Sequence, residues 1–138
     1  MKELNVGVLG ATGAVGQEML KILAERNFPV KSLRPLASAR SAGKMIRFKG
    51  EDVPIAEARE DAFKGLDLVL GAAENDVAKQ FAPFIVKSGA IFVDNSSAFR
   101  LREDVPLIVP EINPDDAKWH KGIIANPNCT TIVTLVAV

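Results

Sequence analysis

A single cysteine, Cys129, stands in the turn Asn126-Pro127-Asn128-Cys129-Thr130-Thr131, just ahead of the apolar run Ile132–Val138. A cysteine in the first turn of a helix meets the positive end of the dipole and free backbone N–H groups, which lower a thiol pKa. The resulting thiolate can attack a carbonyl carbon, with the same N–H groups near the developing oxyanion. The opposing reading is an inert buried thiol, the commoner fate of a lone cysteine. β-Branched content favours a strand for the run that follows. The preceding turn, with Asn128 as cap, and the alternation of elements favour a helix, which is the expectation adopted.

Two further stretches have residue types suited to anions. Gly10-Ala11-Thr12-Gly13-Ala14-Val15-Gly16 lies between an apolar run and an amphipathic one. Unpaired N–H groups at a helix start bind a pyrophosphate, and only small residues let it approach. The spacing is G-x-x-G-x-x-G and not G-x-G-x-x-G, so a tight strand–helix turn is the alternative to dinucleotide binding. The turn Ser38-Ala39-Arg40-Ser41-Ala42-Gly43-Lys44 carries hydroxyls, a guanidinium and an ammonium but no carboxylate. An acid there would bind the ribose 2′-hydroxyl of NAD, whereas Ser38, Arg40 and Ser41 suit a 2′-phosphate. The expectation is NADP, against a solvated basic loop. Arg100, at the end of Asp94-Asn95-Ser96-Ser97-Ala98-Phe99-Arg100, can clamp a phosphate or carboxylate or form a structural salt bridge. His120, between Trp119 and Lys121, reads as a surface residue without chemistry, and no metal site is expected.

The elements that position these residues alternate. Leu4–Leu9 is a short apolar run of the kind found in buried parallel strands. From Ala14 the period becomes helical, with Val15, Met19, Ile22 and Leu23 on one face, until Asn27 and Pro29. Lys31–Ala37 reads as a strand that Pro35 makes edge or irregular. Short strand-like pieces follow at Met45–Phe48 and Val53–Ala56, then Leu66–Leu70. Asn75 or Asp76 is expected to cap a helix reaching Lys87, with Val77, Phe81 and Ile85 inward. Ser88-Gly89 closes it, Ala90–Val93 is a strand, and Leu107–Val109 is expected as another. Asn113-Pro114-Asp115-Asp116 resembles a helix start, and Ile123–Ala125 is a last strand. The order predicts an α/β, Rossmann-like, doubly wound, mostly parallel sheet with helices on both faces.

The composition agrees with one domain. The chain has 138 residues, 48% hydrophobic and 25% charged, enough for an ordinary core. Seventeen basic and 17 acidic side chains cancel, which argues against a nucleic-acid binder. One cysteine excludes an internal disulfide and fits a reducing compartment. No stretch reads as a signal peptide or a membrane span, so the expectation is a cytoplasmic protein with a small-molecule substrate.

Taken together, these motifs resemble the aspartate-semialdehyde dehydrogenase family along essentially the whole chain. Leu9–Gly16, Ser38–Lys44, Asp94–Arg100, Val109-Pro110-Glu111-Ile112-Asn113-Pro114 and Ile124–Thr130 carry the likeness. The resemblance implies NADPH-dependent reduction of L-4-aspartyl phosphate to aspartate semialdehyde and phosphate, in the pathway to lysine, threonine and methionine. It implies that Cys129 is the nucleophile, through an acyl thioester, and that Arg100 binds the substrate phosphate. Asn128 would shape the active site, and Thr12, Gly13, Ala14, Val15, Arg40 and Ser41 would contact the cofactor. Leu70–Asn75 departs from the serine- and glycine-rich stretch of many members, so side-chain contacts there are not carried over. N-acetyl-glutamyl-phosphate reductase is the runner-up, but its Asn-Pro-Gly-Cys motif and its aspartate at the place of Ala98 are lacking. The family's base histidine, its carboxylate-binding arginine and a glutamine near the cysteine have no counterpart here. The chain is therefore expected to be the cofactor-binding domain of a longer, homodimeric enzyme, cut at the domain border, and by itself a non-catalytic NADP-binding module.

Overall fold

A computed structural model describes residues 1–137, in one parallel α/β layer system. Strand β1 (Leu4–Leu9) is followed by helix α1 (Ala14–Glu25) and strand β2 (Val30–Ala37). A hairpin of β3 (Met45–Phe48) and β4 (Glu51–Pro54) leads to the two-residue β5 (Ala56–Glu57). Then come β6 (Leu68–Gly71), helix α2 (Asn75–Lys87), β7 (Ile91–Asp94), a 3-10 turn (Pro114–Trp119), β8 (Ile123–Ala125) and helix α3 (Cys129–Ala137). The six-stranded sheet runs β5-β2-β1-β6-β7-β8, every pair parallel. Strand order therefore reverses between β1 and β6, and every strand delivers its carboxyl end to one edge. That edge at the reversal is where open α/β sheets bind ligands.

Alternation along the strands divides the core. Val6 and Val8 face α1 and the hairpin, packing with Leu20, Leu23, Ile46 and Phe48. Leu9, Leu36, Val69 and Phe92 face α2, packing with Phe63, Phe81 and Ile85. No described helix is long and apolar enough to cross a membrane.

Several expectations are corrected by tertiary contacts. The buried face of α1 is Gly16, Leu20 and Leu23, while Val15 and Ile22 are exposed and Met19 is half-buried. Gly16 sets that phase, because a Cβ there would meet the Gly10 carbonyl oxygen and lie 2.8 Å from the Ala11 Cα. β2 is not an edge strand, since β1 and β5 flank it. Leu36 O accepts from Gly10 N toward β1, so the neighbouring Pro35 turns its donorless nitrogen to the other side, ahead of β5. β6 begins at Leu68, after the Asp67 carboxylate has accepted the Asn5 N–H at 2.7 Å.

Glu74 is the N-cap of α2 and makes no side-chain cap bond, so neither Asn75 nor Asp76 caps it. Leu107–Val109 makes only an isolated bridge, Leu107 to Ala125. The ladder stops at the two bonds of Ala125, to Pro106 O and from Ile108 N, because the next donors on either side would be Pro127 and Pro106, which have no N–H. On the other edge the Asn113 amide donates to Leu107 O at 2.9 Å and its Oδ1 accepts from Val109 N at 2.8 Å. Held there, Asn113 leaves the following helix start uncapped, and only a 3-10 turn forms. The helix expected over Ile132–Val138 begins at Cys129, and Val138 lies outside the described residues.

Candidate functional site

At the carboxyl end of β1 the chain turns through Gly10, whose φ of +83° suits a residue without a Cβ. A Cβ there would also sit 2.9 Å from the Ala72 carbonyl and the Ala73 nitrogen. The turn is pinned to β2, as Gly10 and Ala11 both donate to Leu36 O at 2.9 and 3.1 Å. Gly13, extended at φ −76° and ψ 167°, is the N-cap of α1. The N–H groups of Ala14, Val15 and Gly16 have no acceptor among the described residues, and the first turn holds no acid. A bare, positively polarised helix end thus faces out beside Gly10 and Gly16, where a side chain has no room. Those are the physical requirements of a pyrophosphate cradle, and the residues present fit one.

The turn opens onto a cleft of about 710 Å³ whose walls include Gly10, Thr12, Ser38, Arg40, Glu74 and Phe81. Four of the expected cofactor residues, Gly10, Thr12, Ser38 and Arg40, therefore meet around one space. Gly13, Ala14, Val15 and Gly16 lie in the turn beside it without lining it, and neither does Ser41, whose N–H donates to Ser38 O at 2.9 Å. Glu74, Val77, Gln80 and Phe81, from the N-cap and the first half of α2, are walls the sequence reading missed. No sequence signal marked them, because only the strand order shows that α2 leaves the sheet directly beside β1. A second groove of about 480 Å³, between α2 and the stretch from Ala98 to Val105, shares no residue with this cleft.

Two strands along the same edge, β7 ends in Asp94, whose side chain is fully buried. Its carboxylate accepts from the backbone N–H and the hydroxyl of Ser96. Burial pushes the Asp94 carboxyl above the ordinary 3.8, while the two Ser96 hydrogen bonds and the charge of Arg100 pull the other way. Arg100, half-buried, makes no salt bridge among the described residues; its Nε donates to Asn126 O at 2.7 Å and its Nη2 to Asn95 O at 2.9 Å. The salt-bridge alternative is thereby replaced by a clamp on two carbonyls. Ser97 is tied in turn to the start of α2, through two hydrogen bonds with the Asn75 amide at 2.6 and 2.9 Å.

Next along the edge, β8 ends at Ala125, and Asn126 leads to Asn128 and Cys129. Asn128 Oδ1 accepts the N–H groups of Thr130 at 3.0 Å and Thr131 at 3.4 Å, capping α3 as expected. That cap occupies two of the N–H groups expected to be free for an oxyanion. Cys129 is not the buried thiol of the opposing reading: it is exposed, at the first position of α3. His120 lies before β8, at the opposite edge, where its Nδ1 accepts from Gly122 N at 2.9 Å. Among the described residues no group of three or more metal-ligating side chains occurs.

Residues 5–120 match the family described as semialdehyde dehydrogenase, NAD binding domain. Over 135 residues the chain is 58% identical to the aspartate-semialdehyde dehydrogenase of Synechocystis, covering 98% of this chain and 40% of that protein. It superposes on aspartate semialdehyde dehydrogenase II of Vibrio cholerae, solved with ASA, with a TM-score of 0.94 at 44% identity. That match covers 99% of this chain and 45% of the other. The aspartate semialdehyde dehydrogenase of Candida albicans, solved with NADP, gives a TM-score of 0.80 at 29% identity over 95% of this chain and 44% of its own. The chain thus spans about 40% of the length of the curated relatives it matches.

Proposed function

The chain belongs to the semialdehyde dehydrogenase NAD-binding-domain family, and from that premise we propose that it supplies the NADP site and the nucleophile of an aspartate-semialdehyde dehydrogenase. The observation that carries the reading is the common edge: the glycine turn, the Arg100 turn and the start of α3 all leave carboxyl ends of one parallel sheet. The α1 N–H groups would hold the pyrophosphate of a dinucleotide along that edge, and Ser38 and Arg40 would hold its 2′-phosphate.

In the reaction, the guanidinium N–H groups that Arg100 does not use on Asn95 and Asn126 draw in the phosphate of L-4-aspartyl phosphate. The Cys129 thiolate attacks the acyl carbon and the phosphate departs with the bonding pair, leaving an acyl thioester. When bound, the nicotinamide supplies the hydride that takes this thioester to the aldehyde level. Cys129 leaves as thiolate when the tetrahedral centre collapses, and its own N–H is the nearest donor for the oxygen that carries the charge.

His120 is turned to Gly122 at the far edge, so the general base comes from residues outside this chain. The chain alone is then an NADP-binding module with negligible turnover, since acid–base catalysis contributes roughly 10²- to 10⁴-fold. The free thiol fits a reducing, cytoplasmic setting, and the resemblance supports a homodimer as the state of the whole enzyme.

The test is a chimera in which this chain replaces the matching part of the Synechocystis enzyme. We expect NADPH formation that needs both phosphate and aspartate semialdehyde and disappears in Cys129→Ser. Turnover that survives Cys129→Ser, or that prefers the N-acetylglutamate semialdehyde, would sink the reading.

A further inference from the structure

Asp94 is the one charged side chain fully buried among the described residues. A buried carboxylate is costly unless its acceptors are satisfied, so its position calls for a reason. Room is made for it: a Cβ on the neighbouring Gly71 would lie 2.6 Å from Asp94 Oδ1. Its oxygens take the N–H and the hydroxyl of Ser96, and the Ser96 oxygen accepts from Ala98 N at 3.2 Å. These bonds fold the turn that brings Arg100 back against Asn95 and Asn126. Asn126 is then held at both ends, its N–H by Asp94 O at 3.0 Å and its carbonyl by Arg100 Nε at 2.7 Å. Asn128 and Cys129 follow directly after Pro127, which is itself buried.

We infer that Asp94 and Ser96 are positioning residues, which fold the Arg100 turn and thereby couple anion binding at Arg100 to the placement of Cys129. The inference rests on the roles proposed above for Arg100 and Cys129. Neither Asp94 nor Ser96 touches the substrate; both act through the guanidinium and the Asn126 carbonyl. An anion reaching the remaining guanidinium N–H groups need not break either carbonyl bond, so the grip on the cysteine loop persists while the phosphate is bound.

The test follows alkylation of Cys129 by iodoacetamide in this chain, with inorganic phosphate as the probe for Arg100. Phosphate is expected to slow alkylation of the unmodified chain. Asp94→Asn and Ser96→Ala should weaken that protection by at least about tenfold, the factor a hydrogen bond to a charged group carries, and should change the rate without phosphate. Ser96→Thr, which keeps the hydroxyl, should restore both, and NADPH titration should be the same in all variants. Should Asp94→Asn fail to fold, Ser96→Ala and its threonine rescue decide. Protection and basal rates equal to the unmodified chain in the variants would overturn the inference. If phosphate does not protect the unmodified chain, the phosphate role of Arg100 fails instead, and the rates without phosphate still decide the positioning role: changed with threonine rescue supports it, unchanged overturns it.

Discussion

The Nε of Arg100 donates to the carbonyl oxygen of Asn126 at 2.7 Å, so the side chain proposed to meet the substrate phosphate also grips the backbone leading to Cys129. Its Nη2 reaches Asn95 O at the same time, which only a planar fork can do. Arg100→Lys keeps the charge and loses the span. It should lower the unfolding free energy by about 1.5–3 kcal/mol, the range for hydrogen bonds to a charged group, reduced toward the low end by partial exposure. Urea unfolding with an unchanged m-value is the measurement, and a loss below about 0.5 kcal/mol would show that water replaces both bonds.

The glycines of the first turn separate folding from binding. At Gly10 and Gly16 a Cβ has no room, and Gly10 adds a φ of +83°. Alanine at either should cost more than about 2 kcal/mol through overpacking against backbone. Gly13 differs: its nearest neighbour to a built Cβ is Gly10 O at 3.6 Å, and its φ is −76°. Gly13→Ala should therefore cost no more than about 1 kcal/mol, as an N-cap change. It should nevertheless weaken NADPH binding, because the methyl group stands where the pyrophosphate approaches. Thermal unfolding and fluorescence titration together read the two effects, and a Gly13→Ala chain that binds NADPH normally would remove the pyrophosphate from this turn.

Much of this arrangement was legible where local pattern and tertiary need coincide. β1 and β8 are short, mainly apolar runs bounded by turn residues, and they fall at Leu4–Leu9 and Ile123–Ala125 as read. The phase of α1 was not legible, because Gly16 contributes nothing to hydrophobic periodicity yet must face Gly10. Nor was the fate of Leu107–Val109, which depends on Pro106 and Pro127 falling where the ladder around Ala125 would need its next donors. In the site, Gly10, Thr12, Ser38 and Arg40 could be read from their places after β1 and β2. Glu74 and Phe81 could not, since only the sheet order shows that α2 starts beside β1. The Asp94–Ser96–Arg100 linkage is invisible in sequence for a similar reason: its target, Asn126, belongs to another strand end.

Arg40 is exposed on the cleft wall together with Ser38, across from the start of α2. If it binds the 2′-phosphate, Arg40→Ser should weaken NADPH by roughly 10- to 100-fold through loss of charge-assisted hydrogen bonds. NADH, which has only a hydroxyl there, should bind as before. Titration of both cofactors against both chains gives the comparison, and an equal loss for NADH would assign Arg40 a role in general affinity and not in selection.

Asp94 should leave a signature in the pH dependence of stability. Its pKa is raised in the folded chain, first by burial, with the Ser96 hydrogen bonds and the Arg100 charge opposing. The folded state therefore holds the proton more tightly than the unfolded chain does. Between the ordinary value of 3.8 and the raised one, the folded state binds more protons, so stability falls as pH rises through that window and then levels off. Arg100 is the charged group that bears on Asp94 in this structure, and it stays protonated throughout. Asp94→Asn has no proton to lose and should lack this component. The difference in unfolding free energy, unmodified minus Asp94→Asn, should thus decline as pH is raised from about 4 toward 7. Urea unfolding of both chains at several pH values measures it, and a difference that grows with pH would mean that Ser96 and Arg100 outweigh burial.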